Sequence, residues 1–258
     1  MSEKPLERIH ESLSSQVIGA GLWALGLSWG LPMMSGLNLL QKRFPADRLD
    51  RLNRLYTRVQ IALTGSRWRS VVHPDIDPKG VYLFAQNHTN HFDHVALYPA
   101  TPHFKQGIEL EEHFRYPVYG PFMKSRGTIA VRRGSRSAFE EMRRAMVAEV
   151  ARGHSLLVFP EGTRTLDGRV GPFRRGVFHI ARELGVPIVP VAVTGSFEMM
   201  RKGSWVIHPG HTITVYCEKP IPTAGMSKAE IPALMEQVRS VIAARVDAYF
   251  ERKSALAR

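Results

Sequence analysis

The rhythm of apolar positions divides the chain into two unlike parts. No charged residue occurs from Ser12 to Gln41, and Val17 to Leu40 reads VIGAGLWALGLSWGLPMMSGLNLL. A helix of about 20 apolar residues crosses a bilayer, so this stretch is long enough to do so. Gly30-Leu31-Pro32 interrupts it, because proline lacks a backbone donor and disfavours helix just before itself. Two shorter helices entering and leaving one leaflet therefore compete with a single span. Trp23 and Trp29 are placed to sit at the headgroup boundary.

From about Gly80 the pattern changes to short apolar runs alternating with amphipathic stretches. Val81–Ala85, Thr128–Val131, Leu156–Phe159, Ile188–Val193 and Ile213–Tyr216 read as strands. Phe139, Met142, Met146 and Val150 fall on one helical face. Val177, Ile180, Ala181 and Leu184 repeat that spacing and stop at Gly185, a C-terminal cap. A last helix carries Ile231, Leu234, Met235, Val238 and Ile242. Its start is ambiguous between a Ser227–Glu230 capping box and Pro232 in the first turn. Strands alternating with helices predict an α/β fold with a largely parallel or mixed sheet flanked by helices. The expected division is a membrane-associated helical segment over residues 1–60 and an α/β domain over 61–258.

Composition narrows this picture. Cys217 is the lone cysteine, which excludes an intramolecular disulfide framework and reads as a small buried hydrophobe. The net charge of +12, from 35 Lys and Arg against 23 Asp and Glu, calls for an anionic counterpart: nucleic acid, lipid surface or phosphorylated substrate. Between Lys42 and Arg69 there are eight Lys or Arg and two acids, Asp47 and Asp50. A dense basic stretch beside an apolar segment favours anionic headgroups over nucleic acid, and the cytoplasmic face of a membrane. The start of the chain is not clearly basic and no small-x-small cleavage site follows, which argues against a cleaved signal peptide.

Three polar clusters follow strands, where loops meet helix N-termini in such folds. The first is Asn87-His88-Thr89-Asn90-His91-Phe92-Asp93. A neutral imidazole can take a proton from an alcohol near pH 7, and a carboxylate on its other nitrogen fixes the tautomer. Five residues on a continuous helix would leave the two side chains about 140° apart. The pairing therefore needs His88 on the loop or first turn and Asp93 inside the helix. The second cluster is Phe159-Pro160-Glu161-Gly162-Thr163-Arg164. Gly162 permits close backbone approach, Thr163 offers a hydroxyl, and Arg164 can grip phosphate in a bidentate manner. Glu161 can orient Arg164 or accept a hydrogen bond from a substrate hydroxyl. The third, Gly127 to Arg133, ends in two arginines that strand alternation sends to opposite faces.

In this order the clusters resemble the glycerolipid acyltransferases, most of all the 1-acyl-sn-glycerol-3-phosphate acyltransferases. Asn87-His88-x4-Asp93 matches the catalytic block, Gly127–Arg133 the Gly-x-Ile block, and Phe159–Arg164 the Phe-Pro-Glu-Gly-Thr-Arg block. Val186-Pro187-Ile188-Val189-Pro190-Val191 matches the proline-containing apolar block. Glu109-Leu110 and Pro117-Val118-Tyr119-Gly120 are similar to the segment between the first two. Arg132 departs from many relatives, which carry an acidic or neutral residue there. The resemblance implies that His88 deprotonates the sn-2 hydroxyl of a lysophosphatidic acid and that Asp93 orients it. Arg133 and Arg164, with Glu161, Gly162 and Thr163, would form the acceptor site. Acyl-CoA or acyl-carrier protein would be the donor, phosphatidic acid the product, and no cofactor or metal is required. Glycerol 3-phosphate or another lysolipid is the alternative acceptor.

Two other classes compete. His88, His91 and His94 recur every third residue and His208 and His211 repeat the gap, as in a metal-dependent membrane desaturase or hydroxylase. Those enzymes need several histidine-rich boxes and several long apolar spans, where this chain has one such segment. A non-enzymatic basic lipid-binding protein would explain the charge and the apolar segment but leaves Phe159–Arg164 without a purpose.

Overall fold

The computed structural model describes residues 11–132 and 136–256. Its first element is a single helix, α1 (Leu13–Leu40), that runs through Pro32 without a break. The expected interruption does not occur. An interior proline costs a helix about 3 kcal/mol, through the lost N–H bond and the clash of its ring with the preceding turn, and packing from outside holds α1 against that cost. Gly19, Gly26, Gly30, Met34 and Leu37 form its buried stripe. Side chains at Gly26 and Gly30 would strike Gln60, whose amide nitrogen and oxygen lie 2.9 and 3.2 Å from the Cβ positions. Glycine thus brings α1 against α2 (Asp50–Ala62). The Trp23 indole N–H donates to the Trp205 carbonyl at 2.6 Å, and that of Trp29 to the Tyr56 carbonyl at 3.3 Å.

The remainder is a seven-stranded mixed sheet with order β1-β7-β6-β2-β5-β3-β4. Its strands are β1 (Arg67–Val72), β2 (Leu83–Gln86), β3 (Lys105–Leu110), β4 (Ile129–Val131), β5 (Ser155–Val158), β6 (Ile188–Thr194) and β7 (Thr212–Cys217). The five from β6 to β4 run parallel, and β7, antiparallel to β6, carries β1 in the reversed direction. All five expected strands are present. Two more, β1 and β3, were not legible from periodicity.

The central strands are buried on both faces. Phe84, Leu157, Val189 and Val191 join one core, under α2 and α3 (Asp93–Leu97). Leu83, Leu156, Ile188 and Ala192 join the other, beneath α5 (Arg136–Ala151), α6 (Gly176–Leu184) and α8 (Ile231–Leu256). Two shorter helices, α4 (Tyr119–Arg126) and α7 (Ser196–Met199), complete the set. Gly185 caps α6 with φ +63°, as its position predicted. At the last helix both start signals operate in turn. The Ser227 N–H donates to Glu230 at 2.8 Å across one 3-10 turn, and α8 follows with Pro232 as its second residue.

Candidate active site

At the carboxyl end of β2 the chain turns sharply from strand to helix, and that turn is built around one buried carboxylate. Asp93 opens α3 and is fully buried. Its Oδ2 lies 2.9 Å from Nδ1 of His88, on the loop, and also accepts the Asn90 N–H at 2.9 Å. The Thr89 N–H donates to the same oxygen, and the Thr89 hydroxyl donates to Oδ1 at 2.7 Å. These bonds hold Asp93 as the acceptor at the centre of the turn. With Nδ1 committed to Asp93, the imidazole is held in the tautomer that leaves Nε2 free to accept a proton.

Polar side chains that the sequence reading passed over pin this loop to β6 and α7. The Asn87 amide mimics a strand residue, donating to the Val193 carbonyl at 3.0 Å and accepting its N–H at 2.7 Å. Thr89 and Ser196 share a hydroxyl contact at 2.7 Å. The Gln86 amide donates to the Asp93 carbonyl at 2.9 Å. For Asn87 and Thr89 the partners lie more than 100 residues away, on β6 and α7, and only the topology reveals them.

The block after β5 closes over His88 from the other side. Phe159 stacks on the imidazole with ring centroids 4.0 Å apart. Glu161 is buried, and its two carboxylate oxygens accept the N–H groups of His88 and Gly171, each at 2.9 Å. Burial raises the Glu161 pKa while those two bonds oppose the rise. Its carboxylate therefore faces the backbone of the loop that carries His88. Gly162 adopts φ +67°, and a Cβ there would lie 2.5 Å from the Arg174 guanidinium. Arg174 thus crosses the turn at a place only glycine leaves open.

Arg164 Nη1 lies 2.8 Å from Nε2 of His91, while Thr163 Oγ1 accepts from the Lys202 ammonium at 3.1 Å. Desolvation, then the Arg164 charge and His94, pull the His91 pKa down to about 4, so the ring is neutral near pH 7 and accepts from Arg164. His91, one of the three regularly spaced histidines, and Lys202, which carried no motif signal, are both neighbours of the expected acceptor site. Arg132 reaches outward instead, to Glu141 at 3.0 Å and Glu111 at 3.7 Å. Arg133 lies outside the described residues.

A solvent-open pocket with a cavity volume of about 60 Å³ lies beside Phe159 and His94, between α2, α4 and β3. His94 lines it, and burial lowers the pKa of that ring. The histidines do not converge as ligands: Nδ1 of His88 is taken by Asp93, and Nε2 of His91 by Arg164. Among the described residues no three His, Cys, Asp or Glu side chains are grouped to hold a metal ion. Cys217 is buried in β7, and burial pushes its thiol up to about 12.

The acyltransferase family model matches residues 68–194, which hold both the His88–Asp93 turn and the Phe159–Arg164 block. A chloroplastic 1-acyl-sn-glycerol-3-phosphate acyltransferase of Brassica napus, BAT2, is 36% identical over 171 residues, covering 66% of this chain and 47% of that protein. The human 1-acyl-sn-glycerol-3-phosphate acyltransferase beta is 30% identical over 155 residues, covering 60% of this chain and 55% of its own length. The chain spans about half the length of the curated relatives it matches. The crystal structure of the 1-acyl-sn-glycerophosphate acyltransferase PlsC from Thermotoga maritima superposes with a TM-score of 0.78 at 19% identity. That match covers 92% of this chain and 96% of the other, so the two share a fold across nearly their whole length.

Proposed function

We propose that this chain is an acyltransferase of the family whose model matches residues 68–194, and that it acylates the sn-2 hydroxyl of 1-acyl-sn-glycerol-3-phosphate from a thioester donor, making phosphatidic acid. The donor is acyl-CoA or acyl-carrier protein, and the protein works attached to the cytoplasmic face of an anionic membrane. One observation carries this reading: a His88–Asp93 pair at 2.9 Å, opening beside a pocket and flanked by Arg164.

The reaction follows from that arrangement. The free Nε2 of His88 takes the proton of the acceptor hydroxyl as its oxygen attacks the thioester carbonyl. Asp93 stabilises the imidazolium that forms. The tetrahedral intermediate collapses by breaking the carbon–sulfur bond, and the leaving sulfur recovers the proton from His88. Arg164, with Gly162 and Thr163, holds the acceptor phosphate; Arg133 is assigned the same task from its place in the motif. Glu161 acts on the loop itself, fixing the His88 backbone through its N–H.

The apolar segment supplies the setting. By length and composition α1 suffices to cross a membrane, and Leu13, Val17, Ile18, Leu25, Leu31 and Leu39 on it are exposed. Supporting charges lie alongside: Lys42, Arg43, Arg48, Arg51, Arg58, Arg67 and Arg69 are exposed too. A lipid acceptor and an acyl chain would reach the site from that side.

The test is acyl transfer by wild type and His88→Ala with both thioester donors against lysophosphatidic acid, glycerol 3-phosphate and neutral lysolipids. Wild type is expected to prefer lysophosphatidic acid. His88→Ala should lose about 10²–10⁴-fold in turnover, the usual worth of a positioned base, while still binding membranes. Near-wild-type turnover by the variant would overturn the assignment of His88.

A further inference from the structure

The pocket beside His88 is polar at its deep end. A saturated hydrocarbon chain has no use for such groups. The cause lies in α2, which turns its polar side inward: Asp50, Asn53, Thr57 and Gln60 are buried, while Leu52 and Leu55 are exposed. Asn53, Tyr56 and Thr57 line the pocket from this helix, and Arg126 lines it from α4.

Two of these side chains are more than nine-tenths buried and carry donors without partners. Asn53 is 3% exposed and Arg126 is 4% exposed. The Asn53 amide nitrogen and Nε and Nη1 of Arg126 make no hydrogen bond among the described residues. Arg126 is nevertheless rigid. Its guanidinium lies 4.7 Å from the Tyr98 ring centroid and 4.6 Å from that of Phe104, and its Nη2 donates to the Lys105 carbonyl at 2.9 Å. The nearby Asp50 carboxylate, also buried without a hydrogen-bond partner, offsets the Arg126 charge without bonding to it; buried donors left unpaired are costly, so these remain matched to an acceptor in the pocket.

Strand register gives the depth. Lys105 pairs with Ser155 and Gly107 with Leu157. Phe159, stacked on His88, lies two residues beyond Leu157, whereas Arg126 binds at the level of Lys105. Four residues of strand separate the two levels, about 13 Å.

We infer that Asn53 and Arg126 form a hydrogen-bonding subsite for an oxygen atom, a hydroxyl or keto group, carried in the middle of an acyl chain. The inference rests on the reading of His88 as the centre of acyl transfer, with the pocket receiving one of the chains. That chain belongs to the thioester donor or to the lysolipid acceptor. Both would offer the same chemistry to the two donors.

The experiment compares kcat/KM for a mid-chain hydroxystearoyl thioester and the stearoyl thioester with a plain acceptor. In a second arm the hydroxyl is placed on the acceptor's acyl chain and the donor is plain. Wild type is expected to favour the hydroxylated substrate by about tenfold or more in one arm, which identifies the source. Asn53→Leu should abolish or invert that preference while turning over the plain substrate. Asn53→Ala, which removes the donor without adding bulk, should abolish it as well. Calorimetric binding of hydroxystearate against stearate reads the subsite without turnover. Absence of a preference in both arms and in binding, or a preference retained by both variants, overturns the inference. Binding discrimination without acyl transfer to any acceptor would instead overturn the proposed reaction and leave the subsite standing.

Discussion

Glu161 stands in the strongest motif of the chain, yet both of its carboxylate oxygens are taken by backbone N–H groups. Its carboxylate accepts one N–H from His88 and one from Gly171, joining the turn after β2 to the loop after β5. A carboxylate is suited to this because both of its oxygens accept. Glu161→Gln keeps the shape but replaces one acceptor by a donor facing an N–H. The expected result is a loss of about 1–3 kcal/mol in unfolding free energy and a fall in turnover with the acceptor KM nearly unchanged. Urea unfolding and steady-state kinetics check it; a variant altered only in acceptor KM would return Glu161 to the substrate. At this scale the sequence was legible where chemistry is local. The His88–Asp93 spacing demands a strand, a loop and a helix start, and those elements can be read from pattern. It was illegible where the partner is remote. Nothing near Asn87, Thr89 or Asn90 in sequence announces that the segment 193–200 will receive their hydrogen bonds.

The elements that periodicity missed are those whose burial is decided by partners and not by hydrophobicity. β1 is an edge strand exposed on both faces, at Arg67 and Arg69 on one and Ser70 on the other, and among the described residues it pairs only with β7. β3 begins Lys105-Gln106-Gly107, which no strand template recognises. Lys105 is nevertheless fully buried, its ammonium donating to the carbonyls of Tyr98, Thr101 and His103 at 3.4, 3.2 and 3.0 Å. Burial pushes its pKa from 10.5 down to about 7, Asp50 opposing and Arg54 and Arg126 adding to the shift. Between those two values the unfolded chain holds a proton that the folded chain has released. Through this group, unfolding free energy therefore rises as pH increases from about 7 to about 10.5. Lys105→Met should remove that rise. Urea unfolding near pH 7 and near pH 9.5, compared between the two proteins, measures it, and equal pH slopes would contradict the assignment.

At the scale of the whole molecule, α1 presents one face to the α/β domain as a wall and the other outward as a candidate membrane anchor. About 42 Å long at 1.5 Å per residue, it packs along the domain through its glycine stripe. Trp23 reaches from it to the loop that carries His88, its ring 5.9 Å from that of Phe92, the residue before Asp93. Pro32 signalled an interruption that the structure lacks, since packing against α2 and α4 holds the helix on either side of it. The two faces of α1 then answer to different forces and can be separated by mutation. Val17 and Leu31 are exposed at 65% and 39% and lie away from the buried stripe. Burying one such side chain in lipid is worth about 1.5–3 kcal/mol, so Val17→Asp with Leu31→Asp should weaken binding to anionic vesicles at least about a hundredfold. Melting temperature in detergent should stay the same. Gly26→Leu should do the reverse: it displaces Gln60, lowers the melting temperature, and leaves the outward leucines to bind vesicles. Salt should weaken binding of wild type and Gly26→Leu alike, because the exposed arginines and Lys42 contribute through charge. If the double aspartate variant held vesicles as tightly as wild type, the outward face of α1 would have no part in attachment. The basic stretch from Lys42 to Arg69 would then carry it alone.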